Sequence, residues 1–244
     1  MSRKHGGRPD GATVTASFDA GASAYDALTD RNPGYHEHLR VSASRLGLPA
    51  DGSGLRLLDV GCGTGASTAA LLSAAPGATV VGVDASAGML EQARAKRWPG
   101  NVAFVHLPVE ELGAADLGGP FDAVFAAYLV RNLTDPDGPL RTLRSLLRPG
   151  GTIAVHEYVA GLTLSARLRW TLVCWGIVIP LAAAKGGNVP LYRHLWRSVA
   201  TFDNAPAFAD RLVRAGFTDA RTETMSGWQR GIEHTFTARR PDAE

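Results

Sequence analysis

Two segments of this 244-residue chain combine glycine and aspartate at spacings suited to binding a nucleotide. Residues 57–65 read L-L-D-V-G-C-G-T-G, and residues 80–84 read V-V-G-V-D. Glycines let a backbone turn with positive φ and approach a ligand closely, and the helix expected next offers unpaired N–H groups. Asp84 ends the second apolar run, where its carboxylate can accept hydrogen bonds from both hydroxyls of a ribose. The pattern therefore predicts a strand, a glycine turn, a helix and a second strand around a nucleotide site.

Two classes of cofactor use such a unit, and the spacing of the glycines separates them. A dinucleotide fingerprint needs G-x-G-x-x-G/A, which Gly61, Gly63 and Ala66 could supply. The third glycine is Gly65, however, and Asp59 places a carboxylate at the edge of the first strand, where it would face a pyrophosphate. A cationic cofactor without phosphates is compatible with that acid. The D-V-G-C-G-T-G run resembles motif I of the class I S-adenosylmethionine-dependent methyltransferases, whose ligand carries a sulfonium and an ammonium group.

Composition favours one domain, residues 1–244, in a reducing compartment. With 45% hydrophobic and 20% charged residues, the chain can bury one core. Its net charge is +2 and its basic residues are dispersed, which does not indicate a nucleic-acid partner. Cys62 and Cys174 lack C-x-x-C spacing and the histidines form no H-x-x-x-H pair, so no metal site is expected. We expect a cytoplasmic protein with a flexible tail at residues 1–15, which lack the apolar run of a signal peptide.

The apolar pattern alternates strands with helices. Further strands are predicted at 101–106, 121–126, 152–157, 220–225 and 232–239, and further helices after Ser86, at 140–148 and at 205–215. Such alternation predicts an α/β fold with a Rossmann-like, doubly wound seven-stranded sheet, parallel except for an antiparallel C-terminal hairpin, with helices on both faces.

Residues 160–200 form an insertion of different composition. Residues 170–184 carry no charge and include Gly176 and Pro180, which makes a run of about 15 residues, short of the ~18 to 20 needed to cross a bilayer. Three interpretations remain open: a core helix, an apolar lid over the substrate pocket, or a surface helix that dips into a membrane. The last two imply an apolar substrate. We expect a helical lid, and we leave open peripheral membrane contact and a homodimer.

Four further segments resemble one family, the ubiquinone and menaquinone biosynthesis C-methyltransferases. Residues 18–26 follow its F-D-x-x-A-x-x-Y-D order, and Y-L-V-R-N-L-T-D at 128–135 is similar to its F-G-L-R-N-V-T-D. His156, Glu157 and Tyr158 stand where the family has L-E-F, and residues 192–217 are close to its Y-x-x-L-x-x-S…A-G-F order. The resemblance implies methyl transfer to a carbon of an apolar, prenylated quinol-like acceptor. The alternative is a small-molecule O- or N-methyltransferase of a secondary-metabolite pathway.

The expected cofactor site uses the motif residues. Asp59 and the turn with Gly61, Gly63 and Gly65 would hold the methionine part of S-adenosylmethionine, and Asp84 would hold the ribose. Met89 and Val109 would contact the edges of the adenine, and Tyr25 with Asp26 would close over the cofactor from the N-terminal helix.

The expected catalytic residues follow the fourth and fifth strands. Arg131 would stabilise the oxyanion of the deprotonated acceptor, with Asn132 orienting it, and Glu157, Tyr128 or His194 would take the proton. Each role has a structural alternative: Arg131 would pair with Asp135 at the surface, Glu157 would cap a strand end or bind Asn132, and His194 would only pack.

Overall fold

The central sheet has seven strands. The computed structural model describes residues 11–30, 32–49, 51–113, 117–159, 163–184 and 189–242. The strands are β1 (Arg56–Val60), β2 (Thr79–Asp84), β3 (Val102–His106), β4 (Phe121–Ala127), β5 (Leu147–Tyr158), β6 (Thr218–Thr224) and β7 (Glu233–Arg239). Their order is β3-β2-β1-β4-β5-β7-β6, and β1 to β5 are parallel while β7 runs antiparallel to β5 and β6. The predicted fold class is confirmed.

Helices cover both faces of this sheet. They are α1 (Gly11–Thr29), α2 (Tyr35–Ser44), α3 (Ala66–Ala74), α4 (Ala87–Ala95), α5 (Asp137–Leu146), α6 (Leu164–Val173), α7 (Ile179–Ala184), α8 (Val189–Thr201) and α9 (Ala205–Arg214). Successive β1 side chains point to opposite faces, so Leu57 packs in a core with α2 and α3, while Leu58 packs in a core with α5 and α9. The order of the strands reverses between β1 and β4, where a crevice is expected at their carboxyl ends.

Several predicted boundaries differ from the structure. The α5 helix begins and ends earlier than expected, and β5 already starts at Leu147, because Leu147 pairs with Phe121 before an irregularity shifts the register. Of the tail predicted at residues 1–15, residues 1–10 lie outside the described residues. Residues 11–15 begin α1, where Val14 is buried against the protein.

The insertion forms a longer helix than expected. The α6 helix continues through a wider π turn (Cys174–Val178) into α7, giving 21 residues, long and apolar enough by length and composition to cross a membrane. The expectation of a run too short to span was therefore wrong, because the helix begins at Leu164 and includes Arg167 and Arg169 before the charge-free run 170–184. A π turn directly before Pro180 accommodates a residue that lacks an N–H and crowds the preceding turn. The helix is only partly a core helix: Trp170 and Cys174 are buried, whereas Leu172 and Trp175 are exposed.

Candidate active site

The glycine turn between β1 and α3 borders open space at one position. Gly61, Gly63 and Gly65 have φ of 71°, 54° and 92°, values that favour glycine. A Cβ on Gly61 would meet the Leu129 side chain at 3.1 Å, and one on Gly65 would meet the Trp98 ring at 2.6 Å. A Cβ on Gly63 would meet nothing within 4 Å. Gly63 therefore presents backbone directly to the crevice, as close approach of a ligand requires.

Asp84 is held beside this turn by backbone donors. Its Oδ2 accepts a hydrogen bond from the Gly63 N–H and its Oδ1 accepts one from the Ser86 N–H, both at 2.8 Å. Burial raises the pKa of this carboxyl group above its usual range. Each carboxylate oxygen can accept a second hydrogen bond, so the fixed carboxylate can still receive ribose hydroxyls.

Asp59 lies deeper than its position in the motif indicated. Its side chain is fully buried behind the turn instead of lying on the rim of β1. Oδ2 accepts hydrogen bonds from Ser67 Oγ at 2.8 Å and Thr68 Oγ1 at 2.6 Å, whereas Oδ1 has no partner among the described residues. Burial raises the pKa of Asp59 to about 7. An unpaired carboxylate oxygen next to an open glycine turn fits a ligand that carries a cationic group.

Met89 and Val109 are buried apolar side chains at the ends of the neighbouring strands. Met89 lies in the first turn of α4, where its N–H donates to Ser86 Oγ at 3.1 Å, so Ser86 caps the helix that was expected to follow it. Val109 begins a short helical turn (Val109–Glu111) after β3. Both therefore follow the carboxyl ends of β2 and β3, and their contact with adenine stays a prediction.

Acidic side chains of α1 hold this helix against the glycine turn and α4. Asp26 accepts a hydrogen bond from Thr64 Oγ1 at 2.5 Å and forms an ion pair with Lys96 at 2.7 Å. Burial alone would raise the pKa of Asp26, but the bonds from Lys96 and Thr64 outweigh it and lower the pKa. Asp19 adds a second contact, because its Oδ1 accepts a hydrogen bond from Ser86 Oγ at 2.5 Å. Lys96 was not predicted, because only the folded chain brings the end of α4 to α1.

Arg131 and Glu157 form a buried ion pair, which replaces the surface pair with Asp135 considered above. The Glu157 carboxylate also accepts hydrogen bonds from the backbone N–H groups of Arg131 at 3.2 Å and Tyr158 at 3.1 Å. Burial alone would lower the pKa of Arg131, but the Glu157 carboxylate outweighs it, so the pKa is raised and the guanidinium stays charged. Its Nε is buried and has no partner among the described residues.

Aromatic rings surround this guanidinium. Arg131 lies over the rings of Tyr128 and Tyr158, at 5.6 and 5.8 Å from their centroids. Tyr128 is itself stacked between Tyr35 and Tyr158, and Tyr158 contacts Trp170 of α6 at 5.2 Å between ring centroids. The rings form a continuous apolar wall from α2 to the helical insertion.

Asn132 connects this region to the helix α8. Its Nδ2 donates to the Tyr128 carbonyl oxygen at 2.9 Å, and its Oδ1 bonds His194 Nε2 at 3.1 Å. Asn132 therefore orients His194 directly, and neither of these two bonds reaches Arg131. These two bonds differ from the alternative considered above, in which Asn132 binds Glu157.

A second buried carboxylate, Glu233, was missed by the sequence analysis. It bonds His38 Nδ1 at 2.8 Å and His156 Nε2 at 2.9 Å, and it accepts a hydrogen bond from the Tyr128 hydroxyl. Burial alone would raise the pKa of Glu233, but these bonds outweigh it and lower the pKa to about 2. One signal was present in the sequence: His156 stands where the related family has leucine. In the structure, Glu233 pairs with Tyr158, two residues after His156, in the β5–β7 ladder.

Comparisons with known proteins agree with this geometry. The family described as a methyltransferase domain matches residues 58–153. The chain is 33% identical to a demethylmenaquinone methyltransferase from Clavibacter sepedonicus over 87% of this chain and 85% of the relative. It is 30% identical to a ubiquinone/menaquinone biosynthesis C-methyltransferase UbiE from Bradyrhizobium diazoefficiens over 88% of this chain and 87% of the relative. Among solved structures, magnesium protoporphyrin IX methyltransferase (ChlM) from Synechocystis PCC 6803 with bound SAH superposes with a TM-score of 0.67 at 20% identity, covering 95% and 100% of the two chains.

The likeness to the solved structure shows the fold, and the likeness to the two relatives shows the family of this chain. The expected enzyme class and the expected cofactor, S-adenosylmethionine, are both confirmed. The buried acid of β1, the open glycine turn and the aspartate that ends β2 are the local features on which that expectation depended. The chain is an S-adenosylmethionine-dependent methyltransferase and belongs to the ubiquinone and menaquinone biosynthesis C-methyltransferase family.

Proposed function

We propose that this methyltransferase transfers a methyl group to a ring carbon of an apolar, prenylated quinol-like acceptor. The observation that carries the proposal is the buried guanidinium of Arg131, whose Nε–H lies near the rings of Tyr128 and Tyr158 and has no partner in the described part of the chain. A buried donor without a partner is costly, so it is best explained by a ligand oxygen that it binds. The relatives named for quinone methylation support the same class of acceptor.

S-adenosylmethionine, when bound, supplies a methyl group on a sulfonium. In the proposed site Oδ1 of Asp59, which has no partner among the described residues, attracts the cationic part of the ligand. Gly63 leaves room for close approach, and Asp84 accepts hydrogen bonds from the ribose hydroxyls. The residues proposed to bind the cofactor are Tyr25, Asp59, Gly61, Gly63, Gly65, Asp84, Met89 and Val109.

Arg131 is the proposed oxyanion-binding residue. A hydroxyl on the acceptor ring loses its proton, and the guanidinium stabilises the resulting oxyanion in a site from which water is excluded. Negative charge delocalised into the ring makes the neighbouring carbon nucleophilic. That carbon would take the methyl group that the bound cofactor supplies, leaving S-adenosylhomocysteine. The hydrogen on the same ring carbon would then leave as a proton to solvent, which restores aromaticity, and the oxygen would recover its proton from the base.

His194 is the proposed proton acceptor among the three residues considered. Both oxygens of Glu157 already bind Arg131 and backbone N–H groups, so Glu157 acts as a positioning residue. The Tyr128 hydroxyl donates to Glu233, and burial raises the pKa of Tyr128 well above its usual range. His194 carries an imidazole, the side chain that most often acts as a general base, and its Nε2 donates to Asn132 Oδ1, which orients the ring.

The test is transfer of labelled methyl from S-adenosylmethionine to chemically reduced demethylmenaquinone in detergent, with mass spectrometry of the product. The proposal expects label on the ring carbon, no transfer by Asp84→Ala, and loss of transfer by Arg131→Gln with cofactor binding retained. Arg141 is an exposed arginine of α5, so Arg141→Gln is the matched control and should keep full turnover. Label on an oxygen, or full turnover by Arg131→Gln, would overturn the proposal and favour an O-methyltransferase.

A further inference from the structure

The exposed face of α6 and the π turn that follows it lies over the candidate site, and we propose that this face docks on the surface of an anionic phospholipid bilayer. We call it the lid face and define it by Leu164, Leu168, Leu172 and Trp175. The reason for docking depends on the proposed function, because an apolar acceptor is a membrane molecule. The docking itself can be measured without any acceptor.

The lid face is an apolar stripe on a helix that is already half packed. Leu164, Leu168, Leu172 and Trp175 are 83%, 59%, 62% and 46% exposed. Their spacing of four, four and three residues places them on one side of the helix. The opposite side, with Ala166, Trp170 and Cys174, is buried against the protein. A helix with one packed side and one exposed apolar side is suited to lie on a bilayer, whereas a spanning helix would have to leave the protein.

Basic residues border the stripe on both sides. At 3.6 residues per turn, Arg167 and Arg169 lie roughly 60° beyond the two edges of the lid face. Both are exposed, and neither forms an ion pair within the described part of the chain. Long arginine side chains in such positions keep their charge at the level of lipid headgroups while the apolar residues between them enter the membrane.

The charge of the whole insertion selects an anionic surface. Residues 160–200 contain no Asp or Glu, while they contain four arginines and one lysine. Arg193 of α8 lies over the Trp175 ring, 5.9 Å from its centroid, which brings a further cation to the end of the lid face. Each Lys or Arg near an anionic membrane contributes about 1 kcal/mol to binding. Charge complementarity therefore favours anionic lipid over an apolar protein partner of neutral charge.

The connection between β6 and β7 extends this surface. Arg169 donates to the Arg230 carbonyl oxygen at 3.2 Å, which ties that connection to α6. The same connection carries Trp228, an exposed aromatic residue like Trp175. Tryptophans favour the boundary between headgroups and acyl chains, so the two rings mark the depth at which the lid face would sit.

The helix that carries the lid face packs beside the proposed catalytic residues with its buried side. Trp170, on the buried side of α6, contacts Tyr158, and His194 of α8 bonds Asn132. Docking would therefore place the mouth of the site against the bilayer. An apolar acceptor could enter between these helices without crossing water.

The first experiment measures sedimentation of the full chain with vesicles of phosphatidylcholine alone and of phosphatidylcholine mixed with phosphatidylglycerol. The expected result is binding to the mixed vesicles only, weakened by salt. Leu168→Glu and Leu172→Glu should each weaken binding about tenfold or more, because each removes a leucine from the apolar contact. Arg167→Gln should weaken it about fivefold. Val213→Glu is the matched control: Val213 is an apolar residue of α9, 55% exposed, and its change should leave binding unaltered.

Other outcomes overturn the proposal. Equal binding to both kinds of vesicle, or none to either, would exclude an anionic bilayer as the partner. A dimer in sedimentation velocity without lipid, abolished by Leu168→Glu, would assign the lid face to a second copy of the chain.

Where the methyl-transfer assay shows activity, Leu168→Glu should raise KM for an acceptor in vesicles and leave turnover of a truncated, water-soluble acceptor unchanged. Binding of vesicles without transfer would reject the proposed acceptor and keep the docking surface.

Discussion

Arg131 and Glu157 form an ion pair closed to solvent, in which both carboxylate oxygens have hydrogen-bond donors, whereas Nε of the guanidinium has no partner among the described residues. Taking both charges out of water costs several kcal/mol per ion, and only good geometry with further hydrogen bonds offsets that cost. The backbone N–H groups of Arg131 and Tyr158 satisfy Glu157, whereas Nε of Arg131 remains without a partner among the described residues. This asymmetry leaves one charged donor available to an anionic oxygen.

The first prediction separates the structural role of this pair from its catalytic role. Glu157→Gln should lower the free energy of unfolding by about 3 to 5 kcal/mol, because it leaves the Arg131 charge buried without compensation. The double variant Arg131→Gln, Glu157→Gln carries no charge and should recover most of this loss. Its methyl transfer should nevertheless stay about 100- to 1000-fold below wild type, since the oxyanion donor is gone. Urea unfolding and initial rates measure the two effects.

Cofactor binding supplies the control for that prediction. Both variants should bind S-adenosylmethionine with unchanged affinity, because Asp59 and Asp84 are intact. A double variant that is stable and turns over at the wild-type rate would show that the pair is only structural.

The second prediction concerns the pH dependence of cofactor binding. Burial raises the pKa of Asp59 to about 7, so the carboxyl group is half protonated near neutral pH before the ligand binds. A cationic ligand favours the ionised form and lowers that pKa. The affinity for S-adenosylmethionine should therefore rise by about tenfold between pH 6 and pH 8, with release of protons on binding below pH 7. Calorimetric titration in buffers of different ionisation enthalpy measures both effects.

Asp59→Asn is the matched variant for this prediction. Its side-chain oxygen can still accept from Ser67 and Thr68, so the turn should keep its geometry. It should bind more weakly at pH 8 and lose the dependence on pH. If the tenfold change persists in Asp59→Asn, another group titrates.

The nucleotide-binding half of the fold could be predicted because its signals are local. The apolar strands, the Ser86 cap and the Gly61 to Gly65 turn each depend on residues close in sequence. Helix ends and the start of β5 were less accurate, because pairing of Leu147 with Phe121 is decided by the sheet. The length of the inserted helix was underestimated because the charge-free run starts at residue 170, whereas the helix starts at Leu164 and includes Arg167 and Arg169.

The polar contacts of the site could be predicted only in part. Arg131 and Glu157 were named, but their pairing depends on the alignment of β4 with β5, which no local pattern records. Glu233 was missed because its partners His38 and His156 come from distant segments of the chain. The sequence alone does not tell a buried glutamate from an exposed one. The burial of Glu233 follows only from the pairing of β5 with β7.

The third prediction tests the open side of the glycine turn. Gly63→Ala adds a methyl group where a Cβ meets nothing within 4 Å, so it should cost about 1 kcal/mol of stability from its positive φ alone. The same methyl group would occupy space proposed for the cofactor, so affinity for S-adenosylmethionine should fall at least about tenfold. Gly47→Ala is the matched control, with a φ of 64° and equally open space after α2. It should lose the same stability and bind the cofactor normally; equal binding by both variants would place the cofactor elsewhere.

The fourth prediction uses two neighbouring groups of β7 whose pKa values are both lowered. Burial lowers the pKa of His234 from 6.5 to about 4, and the bonds from His156 and His38 outweigh burial in lowering that of Glu233 to about 2. Between pH 6.5 and 4 the unfolded chain protonates His234 while the folded chain does not, so stability falls as pH falls through this window. Glu233 is ionised in both states above about pH 5, and its stabilising contribution is constant there and declines only towards pH 2.

Difference profiles between variants and wild type separate these two contributions from all other titrating groups, including Asp59. Wild type should lose about 3 kcal/mol relative to His234→Leu between pH 7 and pH 4, because the variant has no imidazole to protonate. Glu233→Gln should be less stable than wild type by a similar amount, and this difference should not change between pH 8 and pH 5. The free energy of unfolding in urea at each pH measures both profiles. A Glu233→Gln difference that disappears already at pH 6 would mean that Glu233 is protonated there, and that the bonds from His38 and His156 do not hold it ionised.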